Sequence, residues 1–293
     1  MNPPMPEFIS VIITTYDRSD ALDLVLRSLA GQNDRRFEVV VADDGSDEQT
    51  AAVVERWQPQ LGVPLRHVWR PHQGFRIADI RNRATLASRG DYCVFIDGDC
   101  LARPDFIVQH RRLAEPGWFV TGNRTLLSQQ LTDSIFHDRL RPEAWTLVQW
   151  TRVRRQGGIN RLNGVVYLPL GPIRKLGWGG SQQAVGCNLA FWRADLERVD
   201  GFDAAFCGWG REDTDLLVRL KRAGVRRKDG RFATGVLHLW HPPADRAGLS
   251  DNDARIDALM RSTRTRAERG LSALRDETPQ TAPAGRDHVR AQS

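Results

Sequence analysis

Over residues 8 to 97 short β-branched runs alternate with amphipathic segments, and this rhythm constrains the fold more than any other feature of the chain. "FISVIITTY" is short and rich in Ile, Val and Thr, which favours a buried strand over a helix. "DALDLVLRSLAGQ" then places Leu22, Val25, Leu26 and Leu29 at i, i+3, i+4 and i+7, the signature of an amphipathic helix. The pattern repeats: strand "FEVVVA", helix "DEQTAAVVERW", strand "PLRHVW", helix "RIADIRNRATLASRG" with Gly90 as its expected stop, and strand "YCVFI". Such alternation predicts an α/β fold, a mostly parallel sheet with helices on both faces and ligands at the carboxyl ends of its strands. Polar residues gather at those ends: Thr14, Thr15 and Tyr16, then Asp43 and Asp44, then Asp97 and Asp99.

Asp97 and Asp99 flank Gly98 with no cationic side chain next to them in sequence. Paired carboxylates around one small residue hold a hard divalent cation and leave positions open for water and phosphate oxygens; a solvated acidic turn is the plainer alternative. Beyond residue 117 the rhythm gives way to irregular stretches, a strand candidate "AVGCNLAFW", a helix "EDTDLLVRLKRAG" and a strand "ATGVLHLW". Glu212 and Asp213 open that helix, where acids either cap the N-terminus or supply a carboxylate to take a proton. Trp209, between Gly208 and Gly210, suits stacking on a sugar ring, or else a place in the core. On a strand His238 and His241 are expected on opposite faces, so only one would join Asp99 around a metal.

The net charge of +6 is concentrated. Residues 139 to 175 hold eight Arg and Lys against Glu143 alone, interleaved with Trp145, Trp150 and, just beyond, Trp178. An anionic partner would suit this segment: a membrane face, a phosphorylated glycan or nucleic acid; a solvated face that aids solubility is the alternative. Apolar runs are far shorter than the ~20 residues of a membrane span. "MNPPMPEF" lacks the features of a signal peptide, so a cytoplasmic location is expected. Cys93, Cys100, Cys187 and Cys207 lack zinc-site spacing and read as core thiols. No Gly-x-Gly-x-x-Gly follows the first strand, and phosphate-loop, zincin and Gly-x-Ser-x-Gly motifs are absent, which removes dehydrogenase, P-loop ATPase, zincin and hydrolase readings.

The ordered motifs "SVIITTYDRSDALDLVLRSLAGQ", "FEVVVADDGSDEQT", "GFRIADIRNRA" and "DYCVFIDGDC" resemble the nucleotide-sugar domain of family 2 glycosyltransferases. "GWGREDTDLLVRL" is similar to the carboxyl-terminal motif of β-1,4-galactosyltransferases and chondroitin polymerase. The resemblance covers residues 8 to about 243 and implies a GT-A fold, with a Rossmann-like sheet, an acceptor-side extension and a C-terminal helix. It implies a nucleotide-sugar half over residues 1–116 and an acceptor-binding and catalytic half over 117–250; beyond them residues 251–275 read as a charged helix, and the tail to 293, with few large apolar residues, as disordered.

By position, the resemblance implies that Thr14, Tyr16 and Asp44 hold uracil with Asp43 close by, and that Arg76 contacts base or diphosphate, with Arg81 a turn further along. Asp97 matches a ribose contact and a neighbour of the metal, Asp99 a metal ligand, and His238 a later metal ligand ahead of His241. Asp213 matches a general base, Glu212 a sugar-hydroxyl contact and Trp209 an acceptor platform, while Gly179 and Gly180 match a close approach to the donor sugar. Mn²⁺ or Mg²⁺ and a UDP-sugar are the implied cofactor and donor, with UDP-galactose, UDP-glucose or an N-acetylhexosamine form expected. A surface polysaccharide, lipopolysaccharide core or lipid-linked glycan is the implied acceptor. Arg211 and Thr214 depart from the galactosyltransferase pattern, which has Gly and a third acid there, so sugar preference does not carry over. A sugar-phosphate nucleotidyltransferase is the competing enzyme class, and a basic nucleic-acid-binding protein the non-enzymatic one.

Overall fold

The computed structural model describes residues 4–176 and 186–275. Gly179, Gly180, Trp178 and the tail beyond residue 275 lie outside the described residues. The first half follows the expected rhythm: β1 (Ile9–Thr15), α1 (Ser19–Ala30), β2 (Phe37–Asp43), α2 (Glu48–Trp57), β3 (Leu65–Trp69), α3 (Ile77–Ala87) and β4 (Tyr92–Asp97). These four strands pair in parallel in the order β3-β2-β1-β4. Alternate side chains of β1 enter opposite cores. Ile9, Val11 and Ile13 pack with Leu22, Val25, Leu26 and Leu29 of α1, while Ile12 packs with Ala78, Ile80 and Ala84 of α3. Both faces of the sheet are covered, which explains the near-continuous apolar runs of its strands.

Gly90 is not the stop of α3, which ends at Ala87. A side chain on Gly90 would lie 2.5 Å from the Ser10 amide nitrogen, so glycine there lets the chain pass close to β1.

The second half adds elements too short to read from periodicity: β5 (Cys100–Ala102), α4 (Phe106–Leu113), β6 (Trp118–Thr121), β7 (Arg124–Leu126), α5 (Gln129–His137) and α6 (Leu147–Arg155). Then come β8 (Asn188–Trp192), α7 (Arg193–Arg198), α8 (Glu212–Arg222), β9 (Arg226–Asp229) and β10 (Val236–His238). β8 runs antiparallel between β4 and β6, and β9 completes a seven-stranded mixed sheet. A small second sheet, β5-β10-β7, stands over the carboxyl end of β4.

The expected single C-terminal helix is two, α9 (Leu249–Arg261) and α10 (Leu271–Arg275). Asp203 explains the break, because its carboxylate accepts the backbone N–H groups of Glu268 and Arg269 at 2.9 and 3.2 Å. Those amides are thereby withdrawn from a helical ladder.

The basic segment divides by role. Arg174 is buried and donates to the carbonyls of Leu168, Asp229 and Arg231, and Lys175 pairs with Glu115. Trp150 is a core residue with Trp145 packed on it at 5.0 Å, so these rings are not part of a surface patch. Arg152, Arg154 and Arg155 of α6 are exposed. Cys207 is also exposed, unlike the other three cysteines.

Candidate active site

The strand register lays out the donor edge. Thr14 sits beside Asp97, and Thr15 beside Asp43. The Gly98 amide donates to the Thr14 carbonyl at 2.7 Å, and a side chain on Gly98 would press within 3.0 Å of Thr15. That close approach folds the Asp97-Gly98-Asp99 turn back over β1.

Asp43 is fully buried, with Oδ1 accepting the Gly45 and Ser46 amides and Oδ2 2.9 Å from His67 Nε2. Its carboxylate shapes the turn that follows β2. Asp44 accepts from Arg70 Nη1 and from the Arg76 amide, each at 2.8 Å. Burial pushes the Asp44 carboxyl up, against those two donors. Tyr16 is 42% exposed and stacks on His72 with ring centroids 4.4 Å apart, a flat apolar platform beside Asp44. The Arg76 guanidinium donates to the Gln73 carbonyl at 3.1 Å.

Asp99 faces two imidazoles. β10 pairs with β5 so that His238 lies opposite Cys100, one residue from Asp99. His238 Nε2 is 3.6 Å from Asp99 Oδ1, and His241 Nε2 is 3.3 Å from Oδ2. The expected opposite-face arrangement of the two histidines is therefore corrected: β10 ends at His238, strand alternation stops there, and the rings lie 5.2 Å apart. Each Nδ1 lies within hydrogen-bonding distance of a carbonyl, Leu239 at 2.8 Å and Pro242 at 2.6 Å. Donation there assigns the proton to Nδ1 and leaves both Nε2 lone pairs directed toward Asp99.

One carboxylate and one or two imidazoles suit Mn²⁺ well and Mg²⁺, which prefers oxygen, less. Cys100 Sγ also lies 3.6 Å from Asp99 Oδ1, and burial pushes this thiol well above its ordinary range.

Arg81 joins this edge to α8. Only 1% exposed, it donates to Thr14 Oγ1, Asp97 Oδ1 and Glu212 Oε1, each at 3.2 Å. Asp97 thus does have a cation beside it, supplied by folding rather than by sequence adjacency. Arg81 is itself too deeply enclosed to be an open donor contact. Burial raises the Asp97 carboxyl, and Arg81 opposes the rise.

Glu212 is pushed up to about 7, first by burial and then by the neighbouring Asp213 charge, so it exchanges a proton near neutrality. Among the described residues its buried Oε2 has no hydrogen-bond partner. Asp213 Oδ1 accepts from the Thr214 amide at 2.6 Å and from its hydroxyl at 3.3 Å. Thr214, at the position where the galactosyltransferase pattern has an acid, orients the carboxylate. Trp209 is 37% exposed, a surface ring and not a core one, with the Arg246 guanidinium 4.8 Å above it.

Three sets of residues are therefore brought together: Thr14, Tyr16, Asp44 and Arg76 at one end, Asp97, Asp99 and His238 at the centre, and Glu212 and Asp213 opposite. Sequence reasoning missed the convergence of His241, the orienting hydroxyl of Thr214 and the bridging role of Arg81. The His-x-x-His spacing was a signal for the first of these.

Known proteins share the chain's motifs and its fold. Residues 10–168 match the model of glycosyl transferase family 2, and residues 175–241 match the galactosyltransferase model described as its N-terminal domain. Validoxylamine A glucosyltransferase of Streptomyces hygroscopicus subsp. jinggangensis is 29% identical, covering 86% of this chain and 58% of its own length. Chondroitin synthase of Pasteurella multocida is 28% identical, covering 80% of this chain and 25% of its own length. The chain thus spans little more than half of one relative and a quarter of the other.

Among solved structures, a mannosyltransferase from Pyrobaculum calidifontis in complex with GDP-Man and Mn²⁺ aligns with a TM-score of 0.58 at 20% identity, covering 96% of this chain and 68% of its own. A TarS fragment of S. aureus in complex with UDP aligns at 0.56 and 16% identity, covering 91% and 68%. The mixed sheet with its helices is the GT-A fold, and by the family match over more than half its length this chain belongs to glycosyltransferase family 2.

Proposed function

We propose that the chain carries out metal-dependent, inverting transfer of a hexose or N-acetylhexosamine from a UDP-sugar to a hydroxyl of a surface polysaccharide, lipopolysaccharide or lipid-linked glycan. The observation that carries this reading is the Arg81 bridge, which ties the strand-end acid Asp97 to the helix-start acid Glu212. A donor edge and a proton-accepting edge thereby open on one another.

In this reading Thr14, Tyr16, Asp44 and Arg76 hold the uracil end, Asp43 shapes the loop behind it, and Asp97 takes the ribose. Asp99 and His238, with His241 beside them, would hold Mn²⁺ or Mg²⁺, which when bound would supply positive charge to the departing diphosphate.

Asp213 takes the proton of the acceptor hydroxyl, whose pKa is far above neutrality, as the carbon–oxygen bond forms. Glu212 offers its unpartnered oxygen to a sugar hydroxyl. Trp209 gives the acceptor ring a face to stack on. Attack guided by Asp213 from the side opposite the leaving diphosphate inverts the anomeric centre.

The activities of the relatives, glucosyl transfer and chondroitin synthesis, and the GDP-Man, Mn²⁺ and UDP of the structural neighbours support a nucleotide-sugar reaction. The test is to incubate the purified chain and Mn²⁺ with UDP-glucose, UDP-galactose, both UDP-N-acetylhexosamines and GDP-mannose, and separately with NTP plus sugar phosphate. Nucleoside diphosphate release from one donor is the expected result. Pyrophosphate release alone would instead make the chain a nucleotidyltransferase.

The lipid-linked acceptor gives the outer face of α6 a partner. Val148, 73% exposed, and Leu147 stand at its start, and Arg152 and Arg155 continue the same face. Among the described residues no helix is long and apolar enough to cross a membrane, so the contact proposed is peripheral. Each arginine near an anionic bilayer contributes about 1 kcal/mol, screened by salt. Sedimentation with phosphatidylglycerol vesicles, but not phosphatidylcholine vesicles, lost in Arg152→Glu/Arg155→Glu, is expected; sedimentation indifferent to lipid charge and salt removes the membrane contact.

A further inference from the structure

We propose that Asn252, on α9, is a positioning residue for the loop that carries Trp209 and leads into Asp213 at the start of α8, and that the neighbouring Asp253–Arg211 ion pair locks the same loop. The inference rests on the assignment of Asp213 as base, and it adds a helix that lies beyond both family matches, the second of which ends at residue 241.

The loop needs an external support. Gly208, Gly210 and Arg211 all have left-handed backbone, with φ of 74°, 97° and 80°. That conformation cannot build a helical or strand ladder of its own, so the carbonyls of the turn at residues 207–210, just before α8, must find other donors. Asn252, 1% exposed, supplies them: its side-chain nitrogen donates to the carbonyls of Cys207 and Gly210, both at 2.9 Å. Two hydrogens on one nitrogen fix the two carbonyls relative to each other, and Trp209 lies between them.

The adjacent residue acts on the other side of the same turn. Asp253 Oδ1 lies 2.5 Å from Arg211 Nε, and Arg211 is the residue immediately before α8, whose second residue is Asp213. A long side chain is held at positive φ directly before the helix that begins with the two acids.

The helix that provides these contacts is fixed at its far end as well. Arg222 of α8 donates to the carbonyls of Leu259 and Arg264, so α9 is anchored to the helix whose start it braces. Leu249, in the first turn of α9, closes on Gly210, where an added side chain would lie 3.3 Å from its methyl. A displacement of about 1 Å at a reacting group can cost on the order of a hundredfold in rate, so a support of this kind acts on turnover before it acts on folding.

The test uses the full chain with the donor that gives turnover. Asn252→Ala is expected to lower kcat by about ten- to a hundredfold while donor KM stays within about twofold, because the donor edge lies on β1 to β4. Asp253→Asn, a change at a half-exposed position that keeps its size, is expected to lower kcat about threefold with the same KM. UDP binding with Mn²⁺ by calorimetry is expected to match the wild type in both, and thermal melting to match it in Asp253→Asn. Hydrogen exchange supplies a readout independent of turnover: amides of residues 207–214 lose protection in both variants, and those of β1 and β4 do not.

Wild-type kcat together with unchanged protection in Asn252→Ala would overturn the inference. So would a fall in kcat that tracks a fall in melting temperature and in UDP affinity, since that describes a folding defect. If the wild type turns over no donor, the assignment of function fails, and the exchange experiment still decides whether Asn252 and Asp253 hold the loop.

Discussion

Arg81 Nη1 lies 3.2 Å from Glu212 Oε1 across 131 residues of sequence, and its other terminal nitrogen lies 3.2 Å from Asp97. One guanidinium therefore sets the distance between the two halves of the candidate site and balances two acids in a poorly hydrated place. Removing it leaves both carboxylates without their charge partner. Arg81→Met is expected to destabilise the chain by about 3 kcal/mol, at the low end for breaking a buried pair because Asp97 is partly open to solvent. Urea unfolding measures this, and a loss under about 1 kcal/mol would show that the bridge contributes little.

Glu212 gives the stability a pH dependence of definite sign. Its folded pKa of about 7 lies above the ordinary 4.5, so between these values the folded state holds a proton that the unfolded state has released. Stability contributed by this group is full below about pH 4.5, falls as pH rises to about 7 and is flat above. Glu212→Gln removes the titration. Unfolding at pH 5 and pH 8 is expected to show the variant gaining on the wild type at the higher pH, and equal differences at both would contradict the assignment.

The two histidines are not equivalent. His238 is held by β10 pairing and buried, whereas His241 follows the strand and is about one-third exposed. Manganese affinity in the presence of UDP is expected to fall at least on the order of tenfold in His238→Ala, since loss of an outer-shell partner alone has that effect. His241→Ala is expected to fall less. Calorimetry giving the reverse order would make His241 the principal ligand.

Arg211 separates stability from activity. A long side chain at φ 80° costs about 1–2 kcal/mol that glycine avoids, while the exposed pair with Asp253 returns about 0–1 kcal/mol. Arg211→Gly is expected to raise the melting temperature or leave it unchanged and to lower kcat. A variant that melts lower, or that keeps full kcat, would contradict the role given to this turn.

Legibility followed length and locality. α1 was readable because Leu22, Val25, Leu26 and Leu29 repeat on one face over about two turns, and β1, β2 and β4 because each is a short run dominated by buried apolar residues. β10 lies within the run "ATGVLHLW" that reads as a strand, but its partners β5 and β7 have three residues each, too few for any period, so the small sheet that carries His238 to Asp99 could not be read. The acids at the strand ends were visible as a pattern. Arg81 was visible only as a residue of α3, since its partners come from three other elements. Thr214 looked like a missing acid, and only its hydrogen bond to Asp213 shows what it does.

The most direct measurement of the central claim is nucleoside diphosphate release from the donor panel by the wild type, Asp99→Ala and Asp213→Asn, each with Mn²⁺ and with EDTA. The account predicts release by the wild type with Mn²⁺ that EDTA abolishes and both substitutions reduce by at least on the order of a hundredfold, the contribution expected of a positioned base. Release that survives EDTA, or full activity in Asp213→Asn, would contradict it.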